Sequence, residues 1–287
     1  MSDNFRNFPE LKVEVRSNYE EIRISNIQEN HLINLKHNGI NWNVLGHNLP
    51  AMNFTGGSES TDMFANTSSL LNNVQLYKII LGNLEDFYDQ LYSIDTVCAV
   101  VDPPVITPKT TWRLIKYNKN VFIKINIRNP LACSEASITF HGRTTEITEL
   151  RRIYDEKSDD INESNIYRKL LLIFDIPFFP VQDESSQEDC SICLSDRCED
   201  FNQTAIICCD NSKCNSIFHK SCLSKYFALN HHVKLLSMFI GECPLCKMKL
   251  SASYEDIFKN NEDDVLETEG TLISNNPDVS MKEQNLI

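Results

Sequence analysis

Apolar residues at every second position begin the pattern: Leu11, Val13 and Val15, then Ile22 and Ile24, with polar residues between them. A period of two is that of half-buried strands, and two such runs predict a small antiparallel meander. A further strand-like stretch runs from His31 to Leu45 and ends at Pro50, and Thr55-Gly-Gly-Ser-Glu-Ser-Thr61 reads as a loop. The period then changes. Leu70, Val74, Tyr77, Leu81, Leu84, Tyr88 and Leu91 step by four and three, which places them on one face of a helix over about 68–93. The stripe lasts only about three heptads and Gly82 interrupts it, so the helix is expected to pack on the sheet rather than enter a coiled coil.

After the break at Asp102-Pro103-Pro104, Trp112 to Ile115, Val121-Ile123-Ile125-Ile127 and Ile138 to Phe140 read as antiparallel strands. The acidic stretch 155–163 reads as a surface loop, and Ser164 is placed to cap a closing helix that runs through Phe174. Strands followed by a helix, twice over, predict an α+β fold of two lobes, 1–95 with the long helix and 96–180. An acidic linker, 181–189, then precedes a cysteine-rich segment, 190–250. The polar stretch 255–287 has too few large apolar residues to fold alone and is expected to be a disordered tail.

Composition narrows the class. With 41% hydrophobic and 23% charged residues among 287, disorder throughout is excluded. The longest apolar runs, Val97 to Val101 and Leu170 to Phe174, fall far short of the roughly 20 residues of a membrane-spanning helix. The first residues do not resemble a signal peptide, so a soluble intracellular protein with no membrane partner is expected. The formal charge of −13 is unevenly placed: segments 155–163, 183–189 and 255–287 together carry −15, which leaves the remainder near +2. The acidity therefore belongs to loops, linker and tail. It does not argue against a partner that binds DNA, although the chain itself carries no direct nucleic-acid signal.

The cysteines change the picture most. Nine of eleven lie within the 57 residues 190–246, and tight Cys-x-x-Cys pairs near a histidine in a signal-less chain point to zinc rather than disulfides. The spacing Cys190-x2-Cys193-x15-Cys209-x4-Cys214-x4-His219-x2-Cys222-x20-Cys243-x2-Cys246 supplies eight ligands for two closed, structural Zn²⁺ sites. In the interleaved cross-brace of RING and PHD modules the first and third pairs share one ion. That assigns Cys190, Cys193, His219 and Cys222 to one zinc and Cys209, Cys214, Cys243 and Cys246 to the other. Spacing scarcely separates Cys209 from its neighbour Cys208. Cys198 reads as a loop thiol, and the pair His231-His232 as solvated helix surface. So small a segment has little core, so metal binding should supply much of its folding free energy, on the order of 10 kcal/mol per ion.

RING ligases bind a ubiquitin-conjugating enzyme through an apolar groove between the two zinc loops and the intervening helix. Ile192, Leu194, Tyr226, Phe227 and Pro244 occupy matching positions, with Phe227 the most natural core residue among them. Lys247 follows the last ligand, where many such ligases place a cation; a lysine lacks the planar fork of arginine.

Three stretches carry a closer likeness: Cys190-Ser-Ile-Cys193; Cys209-Asp-Asn-Ser-Lys-Cys214 with Phe218-His219-Lys-Ser-Cys222-Leu223; and Phe239-Ile-Gly-Glu-Cys243-Pro-Leu-Cys246. They resemble the Fanconi anaemia group L family, ubiquitin-ligase subunits of the Fanconi core complex. The likeness extends upstream through the helix ending near Ile94-Asp95, the strand Val121 to Ile127 with Arg128-Asn-Pro130, and the helix leading to Asp175-Ile-Pro177. It selects Cys209 over Cys208. It also implies two RWD/ubiquitin-conjugating-like lobes that bind substrate, followed by the RING.

As function, the resemblance implies a nuclear ligase, with some presence in the cytoplasm. It would recruit ubiquitin-conjugating enzyme T and other core-complex subunits, and direct monoubiquitination of the paired Fanconi D and I clamp proteins in interstrand crosslink repair. The family has another lobe ahead of this module, for which 287 residues leave no room, and Tyr226 stands where it tends to carry tryptophan.

A RING ligase needs no nucleophile, and the His-Pro-Asn that precedes the cysteine of conjugating enzymes is missing here. Cys98 and Cys133 are therefore expected to be ordinary buried thiols, and no residue is a chemical catalyst. Two rival readings are a PHD-like module that binds without transferase activity and a RING-containing scaffold. Against the PHD reading, its usual tryptophan two residues before the seventh ligand is Gly241, and Cys-Pro-Leu-Cys is RING-like.

Overall fold

The computed structural model describes residues 11–253 apart from 17–19, 26–29, 53–63, 65–68, 134–135, 182–188, 199–203, 231–232 and 236–237. The loop 55–61, most of the acidic linker, His231-His232 and the tail 255–287 lie outside the described residues.

Strands β1 (Lys12–Arg16), β2 (Glu21–Ser25), β3 (Leu32–His37) and β4 (Trp42–His47) form an antiparallel meander in chain order. Their alternation sorts the faces: Ile22 pairs with Leu35 and Ile24 with Ile33, and all four are buried on one side. The stretch His31 to Leu45, expected as one strand, is a hairpin. Asn38 Oδ1 accepts from the N–H groups of Ile40 and Asn41, and Gly39 takes φ 93, so the chain reverses between His37 and Trp42.

Helix α1 (Leu70–Asn83) lays Val74, Tyr77 and Leu81 on the buried face, and the Tyr77 hydroxyl donates to Asn48 Oδ1 at 2.9 Å. The single helix expected over 68–93 is in fact two. It bends at Leu84 (φ −98, ψ 5), whose N–H is shared between the carbonyls of Ile80 and Leu81, and resumes as α2 (Glu85–Val97). Leu84 belongs to the first core, whereas Phe87, Leu91 and Ile94 belong to a second. Gly82 and Asn83, weak helix formers, sit where one stripe must turn to serve two cores. The boundary between the cores therefore falls at Leu84–Glu85, ahead of residue 95.

The second core lies between α2 and the antiparallel sheet β5 (Val100–Asp102), β6 (Trp112–Asn118), β7 (Val121–Asn126) and β8 (Ser137–Gly142), closed by α3 (Thr144–Lys157) and α4 (Ile166–Phe174). Helix α3 was not expected; the acidic stretch begins inside its last turn, at Asp155. Asn165, not Ser164, caps α4, with its side chain accepting from the N–H of Arg168. Between α2 and β6, Arg113 makes two bonds to Asp95, Nε to Oδ1 at 2.6 Å and NH2 to Oδ2 at 2.8 Å.

The cysteine-rich unit comprises β9 (Ile207–Cys208), β10 (Ile217–Phe218), α5 (Lys220–Leu229) and the sheet β11 (Val233–Leu235), β12 (Met238–Glu242), β13 (Lys249–Ser253). Its core of Ile207, Phe218, Leu223, Phe227 and Leu250 is continuous with Leu114 of β6 and Phe122 of β7. These two alternate with Ile115 and Ile123, which face the second core. The central strands of the second lobe are thus covered on both faces, by helices on one and by the cysteine-rich unit on the other.

Candidate metal centre

Each half of the cysteine-rich unit begins from the same short knuckle. In Cys190 to Ser195, the N–H of Leu194 donates to the Cys190 carbonyl at 2.8 Å and the N–H of Cys190 to Ser195 at 2.9 Å. In Cys243 to Met248, Lys247 donates to Cys243 at 3.0 Å and Cys243 to Met248 at 2.8 Å. To close these turns Leu194 and Lys247 adopt φ 57 and φ 61, a left-handed conformation that disfavours side chains by about 1–2 kcal/mol. Each knuckle points two sulfurs inward, and strands β9–β10 with the first turn of α5 bring up the other ligands.

Cys190, Cys193, His219 and Cys222 form one group, and Cys209, Cys214, Cys243 and Cys246 another, with the ligand atoms of each group within 4.8 Å of one another. The interleaving is that expected from the spacing. Cys193 Sγ and Cys222 Sγ lie 3.3 and 3.7 Å from His219 Nδ1, Cys209 Sγ lies 3.6 Å from Cys246 Sγ, and Cys214 Sγ lies 4.0 Å from Cys243 Sγ. An ion with bonds of about 2.3 Å to sulfur at the centre of a tetrahedron has ligand separations of roughly 3.7 Å. Both groups fit such an ion, with no open position for a substrate.

Outside the ligands lie groups that the spacing could not reveal. His219 Nε2 lies 3.1 Å from the Asp196 carbonyl, and a proton donated there leaves Nδ1 as the lone pair toward the sulfurs. The His219 N–H donates to Cys190 Sγ at 3.4 Å, and the buried Ser216 hydroxyl lies 3.0 Å from Cys214 Sγ and 3.4 Å from Cys243 Sγ. Burial opposes ionisation of Cys190, but hydrogen bonds from His219 and the knuckle backbone outweigh it and bring its pKa down to about 6. A backbone bond from Met248 is the main reason Cys246 also falls to about 6. Burial would lower His219, yet its bonds to Cys190 and to the Asp196 carbonyl raise it to about 9. One thiol in each group is thus eased toward thiolate, whereas burial and the neighbouring sulfurs hold Cys209 and Cys222 well above the usual thiol range, so a metal must displace protons from these thiols and from the His219 ring as it binds.

The remaining thiols lie elsewhere. Cys208 is buried on β9, and Cys198 Sγ is 3.0 Å from Ser221 Oγ; neither joins a four-ligand group. Burial pushes Cys98 up to about 12 and Cys133 up to about 11, the opposite of an activated nucleophile.

The expected groove residues sit on the two knuckles and on α5. Ile192 and Leu194 are exposed, Leu194 to 77%, while Pro244 and Tyr226 are half-buried and Lys247 is exposed. Leu245, at 59% exposure inside the second knuckle, joins this apolar set, and its place beside Pro244 between two ligands was the available signal. Phe227 is buried in the small core. Gly241 packs so closely on it that a Cβ would lie 2.6 Å from Phe227 Cε1, so the position that holds tryptophan in PHD fingers has no space for a side chain here.

Residues 86–182 match the family model described as FANCL UBC-like domain 3, and residues 186–255 match that described as FANCL C-terminal domain. The chain belongs to the FANCL family. Its first family segment begins beside Glu85, the start of α2, in keeping with the place of that helix in the second core. The chain is 34% identical over 224 residues to the E3 ubiquitin-protein ligase Fancl of Drosophila melanogaster, 74% of this chain and 58% of that one. It is 24% identical over 193 residues to the E3 ubiquitin-protein ligase FANCL of Mus musculus, 64% of this chain and 50% of that one. A solved FANCL crystal structure matches with a TM-score of 0.70 at 28% identity, covering 88% of this chain and 69% of its own. The chain spans between half and three fifths of the length of these curated relatives.

Proposed function

We propose that this FANCL-family chain is a RING-type ubiquitin ligase whose two ions are zinc. The observation that carries the reading is the pair of knuckles. Each spends left-handed backbone strain to fix metal ligands, and each leaves apolar side chains in water beside them, Ile192 and Leu194 on one and Leu245 on the other. Exposed apolar groups on rigid metal loops are suited to binding a partner. The partner in this reading is a ubiquitin-conjugating enzyme, specifically conjugating enzyme T. The names of the fly and mouse relatives support the same activity.

Zinc in these closed sites supplies folding free energy and rigidity. The chain's own residues do the rest: Ile192, Leu194, Tyr226 and Pro244 hold the conjugating enzyme, and Lys247 offers donors to it and to ubiquitin. Orientation and proximity are the whole catalytic contribution, since the thioester to be attacked belongs to the partner. The bilobed module would present the substrate, the paired Fanconi D and I clamp proteins, for monoubiquitination in nuclear crosslink repair, alongside other core-complex subunits.

A reconstituted reaction with conjugating enzyme T, ubiquitin and the D and I pair tests partner and substrate together. A single ubiquitin on the clamp proteins that depends on this chain is the expected product. Binding of a histone-tail peptide, with no response to charged conjugating enzyme, would instead favour a PHD-like module. A chain that supports core-complex assembly but not transfer would be a scaffold.

A further inference from the structure

We infer that Arg197 and Arg143 are positioning residues that latch the two metal loops to the second lobe, so that the conjugating-enzyme groove is held at a set orientation over the substrate-binding module. The functional half of this inference rests on the ligase reading; the latch itself rests on contacts alone. Arg197 immediately follows Asp196, whose carbonyl orients His219. It reaches across to β5, donating from NH1 to Asp102 Oδ1 at 2.8 Å and from NH2 to the Val101 carbonyl at 2.7 Å. Thr204 reinforces the same point, through its N–H to Asp102 Oδ2 at 3.4 Å and its hydroxyl to the Val101 carbonyl at 3.3 Å.

The other metal loop is held from the end of β8. Arg143 is 9% exposed and donates from Nε to the carbonyl of Cys209, itself a ligand residue, at 3.2 Å. Its NH1 bonds Glu146 at 3.0 Å, while the next residue, Thr144, donates its N–H to Asp210 Oδ1 at 3.0 Å. Arg143 is placed there by Gly142 at φ 124, where a Cβ would collide with the Asn120 carbonyl that accepts the Arg143 N–H. Between the two arginines Leu114 and Phe122 join the core of the cysteine-rich unit, with Val101 and Trp112 packed beside it. The packed apolar contact is not directional in itself, and the polar attachments set its angle. These attachments are directional, one to each metal loop.

If the groove and the module form one rigid body, the thioester is offered to a restricted set of lysines. Loosening the latch should then spare the chemistry and harm its aim, because small misplacements of reacting groups reduce rate steeply. The test uses the full chain carrying Arg197→Ala, Arg143→Ala with Arg197→Ala, Asp102→Asn, and the charge exchange Asp102→Arg with Arg197→Asp. Metal content is measured, hydrogen exchange is followed at β6 and β9, and ubiquitin transfer is read out twice, to free lysine and to the D and I pair.

The expected result for Arg197→Ala and Asp102→Asn is two metal ions per chain, exchange at least about tenfold faster at the interface, unchanged discharge to free lysine, and kcat on the protein substrate about tenfold lower with KM unaltered. The charge exchange should recover part of the kcat. Unchanged interface exchange overturns the latch, and accelerated exchange with unaltered kcat overturns its positioning role. Failure of the wild type to discharge ubiquitin at all overturns the ligase reading and the functional half with it, while the exchange result still judges the latch. Should the double arginine variant not fold, the milder Asp102→Asn decides the same question.

Discussion

Asp95 and Arg113 show how one side chain can hold two elements. Arg113 is 2% exposed and its charge is met by the Asp95 carboxylate, with further bonds from NH1 to the Thr110 and Trp112 carbonyls. Asp95→Ala leaves that guanidinium buried without its counter-charge, so destabilisation of about 3 kcal/mol is expected, read as a lower midpoint in denaturant. Asp95→Asn, which keeps an acceptor, should lose less. At the same scale most of the metal ligands were legible because zinc demands particular residue types and short gaps leave a pattern in the chain, while Cys209 was separated from Cys208 chiefly by the family likeness. Ser216 and Asp196 were not: one acts through a hydroxyl and the other through a backbone carbonyl, which any residue carries. Arg143 and Arg197 were equally hidden, since their partners lie 66 and 95 residues away.

Among the elements, β1, β2, β7 and β8 followed from alternating apolar residues, whereas β6, covered on both faces, was legible as a short apolar run. Helix α3 did not, since it contributes only Leu150 as a buried residue and reads as charged throughout; the spacing of Ile147, Leu150, Ile153 and Tyr154 was the available signal. The bend at Leu84 was hidden for a different reason: a continuous stripe says which side of a helix is apolar, not how many cores it meets. At the end of β4, His47 meets Phe64 at a tilted ring angle of 46°, and its Nδ1 accepts from the Leu49 N–H at 3.2 Å. Burial, helped by the charge of Lys109, lowers its pKa to about 4 from 6.5. The unfolded chain therefore takes up this proton first as pH falls. The contribution is fully present above pH 6.5 and is lost as pH falls through about 4. His47→Gln should flatten this acid limb of the melting-temperature profile relative to wild type.

For the whole molecule, the docking of the cysteine-rich unit on β6 and β7 couples metal binding to the stability of the second lobe. Removing the ions with a chelator should unfold that unit, expose Leu114 and Phe122 and lower the unfolding temperature of the second lobe, while the first lobe, with its separate core, melts as before. Calorimetry with and without chelator distinguishes this from an independent metal module, for which the second lobe would not shift. The same docking packs together units that, along the chain, read as separate and joined by an acidic linker.

In the ligase reading, apolar side chains on the metal knuckles recruit a charged conjugating enzyme and nothing on this chain attacks the thioester. Discharge of ubiquitin from purified, charged conjugating enzyme T to free lysine, with wild type and Ile192→Ala compared at equal metal content, tests it most directly. Discharge accelerated by the wild type and abolished by Ile192→Ala, with two ions retained in both, is the predicted result; equal discharge by the two proteins would contradict it.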